Sequence, residues 1–224
     1  MTKKPYGEHW KGIKGYRGME GNDIYNHYFG GQVCDLPVCT LCGEKMHQIF
    51  CFDLKDERLS EIKAKELTIL PLVSCLNCAM VWGPQYFQLS NRGKSIQVIS
   101  QENTEDWIQD EEDRLPVPLP RINVKLVEMR VEGIPTNEDK YDTAFDLFGS
   151  EYLCRFLGAP LYDEVPEDLE CPICNQEMKY IATITQDLGE RELISVVDFQ
   201  LGEMNIFYHL CKVCLVLKTQ IQGT

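Results

Sequence analysis

Cys39-Thr-Leu-Cys42-Gly-Glu-Lys-Met46 and Cys171-Pro-Ile-Cys174-Asn-Gln-Glu-Met178 are one phrase written twice, with Cys39 and Cys171 132 positions apart. Each is answered downstream by a second pair, Cys75-Leu-Asn-Cys78 and Cys211-Lys-Val-Cys214. Two C-x-x-C pairs a few tens of residues apart have the ligand spacing of a tetrahedral four-cysteine site. The two-residue gap lets both sulfurs of a pair point at one ion while N–H groups of the turn face the thiolates. Such a turn favours a residue tolerant of positive φ after the second cysteine. Gly43 and Asn175 meet that demand, whereas Ala79 and Leu215 follow the second pairs. The pattern predicts two zinc ions per chain, one on Cys39, Cys42, Cys75 and Cys78, the other on Cys171, Cys174, Cys211 and Cys214.

Four thiolates fill the tetrahedron of zinc and leave no position for water or substrate, so the expected role is a structural staple. Iron in a four-cysteine site uses the same ligands. Ligands crossing between the two halves, or Cys34, Cys51 or His47 replacing a cysteine in one site, also satisfy the spacing. A thioredoxin-like redox pair fits less well, because each first pair precedes an alternating, strand-like run rather than a helix. The remaining cysteines, Cys34, Cys51 and Cys154, read as small buried apolar residues.

The matched register extends beyond the cysteines. Ile49 falls on Ile181 at the same offset as the first pairs, and the second pairs each follow an apolar run, residues 69–73 and 206–210. Gly30-Gly31 is echoed by Gly158-Ala159-Pro160. The expected fold is α+β and β-rich, with two pseudo-symmetric repeats, each holding a zinc-ribbon-like unit.

Around these units the chain divides by composition. Residues 1–31 hold seven glycines and six aromatics and read as a turn-rich arm. The first ribbon repeat spans 32–101. Residues 102–121 join an acidic run, with seven acids and one base over 102–114, to Leu115-Pro-Val-Pro-Leu-Pro120, and read as a linker. The second repeat spans 122–224 with a preceding strand from Ile122 and a helix carrying Tyr141, Phe145, Phe148, Tyr152 and Phe156 on one face, stopped at Gly158-Ala159-Pro160.

The chain of 224 residues carries 35 acids and 22 Lys plus Arg, a formal charge of −13. Eight thiolates add eight negative charges and two dications return four, which places the loaded protein at about −17. This balance argues against a nucleic-acid partner and for a basic protein or peptide. The basic start lacks an apolar stretch behind it and no run reaches the roughly 18 residues of a membrane span, so a cytoplasmic protein is expected, without a membrane partner. Cysteines in a reducing compartment read as metal ligands rather than disulfides.

No catalytic signature is present: the histidines, His9, His27, His47 and His209, lack hydrolase spacing, and there is no nucleophile elbow, P-loop or dinucleotide fingerprint. A non-enzymatic protein with no catalytic residues is expected.

The turn–knuckle–strand arrangement resembles the bacterial YwqG-like family, itself similar to the eukaryotic programmed cell death 2 proteins. Phe29-Gly30-Gly31, Cys39 to Met46 and Cys75/Cys78 carry the resemblance, then Leu157 to Pro160, Cys171 to Met178 and Cys211/Cys214. It implies a two-fold-repeated, β-rich fold without established catalysis and, through the eukaryotic relatives, dedicated chaperoning of a newly made ribosomal protein, a strongly basic partner. A toxin-neutralising, immunity-type protein is the alternative, followed by an enzyme with an unrecognised pocket.

Overall fold

The computed structural model describes residues 15–78, 83–101, 108, 110–128, 154–158, 160, 168–185 and 204–223. They form one sheet of eleven strands: β1 (Tyr16–Glu20), β2 (His27–Phe29), β3 (His47–Asp53), β4 (Ile69–Ser74), β5 (Gln85–Ser90), β6 (Ser95–Gln101), β7 (Ile122–Glu128), β8 (Cys154–Phe156), β9 (Lys179–Thr185), β10 (Met204–Cys211) and β11 (Val216–Gly223). Their spatial order is β4-β3-β2-β7-β1-β8-β9-β10-β11-β5-β6, and each neighbouring pair runs antiparallel. The sheet curls into a half-barrel, and the Thr219 hydroxyl on β11 donates to the Val73 carbonyl on β4 at 2.9 Å. Pro71 is tolerated within β4 because that strand ends the order and only one of its edges pairs with β3.

β4 reads Ile-Leu-Pro-Leu-Val-Ser and is buried along nearly its whole length, as befits a strand with both faces covered. The main core lies where the inward residues of β3 meet β8. Phe50, Phe52 and Phe156 form a mutual ring cluster with centroids 4.5 to 4.8 Å apart. All three are fully buried, and such tilted and edge contacts add to the area each ring withdraws from water.

Beside this core a buried ionic network ties three segments together. His27 Nε2–H donates to Asp56 at 2.9 Å while its Nδ1 accepts from the Asp53 N–H at 3.1 Å, which fixes the neutral tautomer. Arg58 holds both Asp56 oxygens through Nε, reaches Asp23 at 2.6 Å and donates to the Leu126 carbonyl. Burial lowers the His27 pKa from its ordinary value despite the carboxylate beside it, because Arg58 already balances that charge.

Several expectations change here. Among the described residues the only helical pieces are 3-10 turns at Glu57–Leu59, Asn91–Gly93 and Glu111–Asp113. Most of the helix expected over residues 141–156 lies outside the described residues, and its last three positions are strand β8, not helix. Pairing with β1 and β9 on both sides overrides the four-three-four-four aromatic spacing there. Gly15 explains the closeness of that pairing: a Cβ on it would lie 2.3 Å from the Phe156 carbonyl oxygen.

Residues 16–29, read as part of an arm, supply β1 and β2 in the middle of the sheet. The proline segment is likewise built in. Leu119 is buried, and its carbonyl accepts from the Gly31 N–H at 2.8 Å. No helix among the described residues is long and apolar enough to cross a membrane.

Candidate metal centres

Each C-x-x-C pair sits where a strand begins or ends, so the sheet itself sets the spacing between pairs. Cys75 directly follows β4, and Cys211 closes β10 and opens the turn into β11. The first pairs occupy turns just before β3 and β9. Both turns are closed by the same bonds: Cys39 N–H to the Glu44 carbonyl and Cys171 N–H to Gln176, Gly43 N–H to Cys39 and Asn175 N–H to Cys171, Met46 N–H to Pro37 and Met178 N–H to Leu169. Gly43 and Asn175 both have positive φ, 76° and 57°, as the sequence demanded. Leu215 takes φ 56° as well, although its side chain disfavours that region.

The eight predicted cysteines come together as two groups of four. Cys39, Cys42, Cys75 and Cys78 have all their Sγ atoms within 4.8 Å of one another, and so do Cys171, Cys174, Cys211 and Cys214. Neither group draws a ligand from the other half. Individual Sγ–Sγ separations are 3.3 Å for Cys75–Cys78, 3.5 Å for Cys39–Cys78, and 3.6 Å for both Cys42–Cys75 and Cys174–Cys211.

A disulfide requires about 2.05 Å, so these sulfurs are unbonded thiols. A Zn–S bond of about 2.3 Å sets the edges of a sulfur tetrahedron at about 3.8 Å, and the observed edges lie close to that. The donor sets fit a tetrahedral, thiophilic ion, and each group can hold one.

The electrostatics of the first group point the same way. Cys39 is held down to about 2 by hydrogen bonds from the Cys75 and Cys78 thiols, and those bonds to Cys39 in turn push Cys75 and Cys78 up. The sulfurs of this group thus titrate as a coupled set rather than one by one. In the second group Cys214 is pushed up to about 12, chiefly by its contact with Cys174. A dication at either centre would reverse this by favouring all four thiolates.

Groups around the sulfurs differ between the two centres. At the first, the Gln101 amide donates to Cys39 Sγ at 3.4 Å while its carbonyl oxygen accepts from Thr40 N–H and Oγ1. Asn77, within the knuckle, accepts from the Leu115 N–H at 2.9 Å and donates to the Leu115 carbonyl. His47 is not a ligand: its Nδ1 accepts from the Leu76 N–H and its Nε2 donates to Leu115.

At the second centre the Cys214 N–H donates to Cys211 Sγ at 3.4 Å, and the knuckle tips Ile173 and Val213 are 55% and 71% exposed. Gln101 and Asn77 escaped the sequence reading. Gln101 lies 62 positions from the sulfur it touches, and only the polarity of Asn77 inside an apolar run hinted at a role.

Cys34 and Cys51 are buried and both are pushed up to about 12, mainly by burial, so they are inert core thiols. The side chain of Cys154 lies outside the described residues. Comparison of the chain with protein-family models, with curated proteins and with solved structures finds no match.

Proposed function

We propose that both centres hold zinc as structural staples and that the protein is a non-enzymatic binding module for a basic protein or peptide. The observation that carries the reading is the closed, four-sulfur donor set at both centres. A closed set leaves the metal no open position, so its contribution is folding free energy. Zinc is favoured over iron because a redox-silent ion suits a staple. The described cysteines, all free of disulfides, suit a reducing, cytoplasmic setting. The charge of −13 supports a basic partner through complementarity.

The same proposal takes the halves as two copies of one unit, in keeping with the YwqG-like resemblance. Its support is the shared turn chemistry and the order of the sheet, in which β4-β3-β2 and β10-β9-β8 flank the central β1–β7 pair. Phe29 and Phe156 are each followed by two residues of positive φ, Gly30-Gly31 and Leu157-Gly158. The Gly30 and Leu157 N–H groups donate to Ile49 and Ile181. The correspondence thus pairs Gly30 with Leu157 rather than with Gly158.

The test combines metal quantification on the intact chain with affinity capture at low and moderate salt. Two zinc ions per chain and a reproducible basic partner that dissociates as salt rises are expected. A chain with two zinc ions but no such partner leaves the staples standing and removes the binding role.

A further inference from the structure

Arg155 is a buried cation in a place where a strand normally carries an apolar or neutral residue. It is 4% exposed, on β8, one residue before the core-facing Phe156. Strand alternation turns it to the opposite face of the sheet from the ring cluster. Its direct neighbours there are Arg17 on β1 and Thr183 on β9, and such cross-strand pairs hold their Cβ atoms about 4.5–5.5 Å apart. Thr183 Oγ1 is hydrogen-bonded to the Tyr180 hydroxyl at 2.7 Å, and both residues are buried. Among the described residues no acceptor reaches Arg155 Nη1, which is shut off from solvent.

These facts pull against one another in the isolated chain. A guanidinium cannot shed its charge by losing a proton. A buried donor without an acceptor is destabilising as well. An anion placed against Arg155 would answer both.

We propose that Arg155, with Arg17 beside it and the Thr183–Tyr180 hydroxyl pair on its other flank, forms a binding site for a small oxyanion, the carboxylate or phosphate group of a ligand. The planar fork of Arg155 presents two parallel N–H groups to two oxygens of the anion. The neighbouring hydroxyl pair supplies a further donor, and Arg17 lies directly across from Arg155 on β1. None of the eight clustered cysteines takes part, so the site is independent of the metal centres and of the basic partner proposed above.

The test uses the full-length, metal-loaded protein at constant ionic strength. Inorganic phosphate is titrated in one arm and succinate in the other, followed by calorimetry and thermal unfolding. Saturable binding of phosphate identifies a phosphoryl ligand, and saturable binding of succinate a carboxylate. Either supports the site, with a rise in Tm that grows with anion concentration. Arg155→Gln is expected to weaken that binding by about tenfold or more, and Thr183→Val by a smaller factor.

In anion-free buffer Arg155→Gln is expected to unfold at or above the wild-type Tm, because it removes a buried, unmatched charge. No saturable binding of either anion to the wild-type protein up to about 10 mM would overturn the proposal. So would a rise in Tm that potassium chloride reproduces, or binding that Arg155→Gln leaves unchanged. If neither variant folds, the wild-type titration and its chloride control decide alone.

Discussion

At the first cysteine centre Cys39, Cys75 and Cys78 are buried within the main core, and the chain returns to close over them through Ile108, Leu115 and Gln101. At the second centre the same turns, with the same backbone bonds, carry Ile173 and Val213 outward. A small separate cluster of Tyr86, Met178 and Val216 backs its sulfurs. A knuckle's local geometry is therefore set by its own few residues, while its share in stability depends on what the rest of the chain packs against it. The first centre lies within the main core, and the second, with Cys171 and Cys211 buried and Cys174 and Cys214 half-buried, sits at the β9–β10–β11 corner with its knuckle tips in solvent.

The largest effect expected from this difference is a split between cysteine substitutions. Cys75→Ser should abolish cooperative unfolding or lower stability by more than about 4 kcal/mol, the range reserved for loss of a metal from a core. Cys174→Ser should remove one ion but leave a folded chain with a lower Tm. Thermal unfolding with metal content on both variants checks this. Equal damage at both positions would break the distinction.

A smaller change is expected from Asn77→Ala, which leaves the half-buried Leu115 N–H without its acceptor. The loss should be about 0.5–1.5 kcal/mol in denaturant titrations. Uncovering the first knuckle should also bring its rate of metal release toward that of the second.

Gly43→Ala isolates the turn from everything around it. A Cβ there would meet nothing within 4 Å, so only its φ of 76° resists the change. The expected loss is about 1–2 kcal/mol. At the matching position Asn175→Gly should be neutral or slightly stabilising. A neutral Gly43→Ala, measured by the same titration, would show that the first turn tolerates more than its twin.

The smallest effect concerns acid. The first half anchors His27 in the Asp56–Arg58 network, whereas the second half has Cys154 at the matching place. Because the folded pKa of His27 lies below its ordinary value of 6.5, the unfolded chain takes up that proton first. Its contribution to stability is full above pH 6.5 and declines as pH falls toward the folded value. The Asp56 pKa is raised by burial but lowered on balance by its Arg58 bonds, so its contribution persists to below pH 3.8. Unfolding midpoints between pH 7 and 5 should therefore fall, and His27→Gln should flatten that slope. An unchanged slope would remove His27 from the account.

Much of the candidate site was readable in the sequence, because a thiolate site needs cysteines in fixed pairs and few other demands produce that spacing. Gly43 and Asn175 were readable for the same reason: positive φ narrows the choice of residue. The β-strands flanking the pairs were also legible through their apolar runs. The partnership of β1 with β8, and of β2 with β7, was not, since it joins residues more than a hundred positions apart or nearly so through backbone bonds that carry no side-chain signature. Residues 16–29 looked like an arm because glycines and aromatics are common to turns and to closely paired strands. Phe156 looked helical because a spacing of four fits a helix face as well as it fits chance. Leu215 shows the reverse, a positive φ that its side chain conceals.

The central claim, two independent structural metal centres of unequal protection, is tested most directly by quantifying metal on the native chain and following its release to a chromogenic chelator. Two zinc ions per chain leaving in two equal steps, with the fast step missing in Cys174→Ser and the slow step tied to unfolding, is the predicted result. One ion or none, or two ions released together at a single rate, would contradict the account.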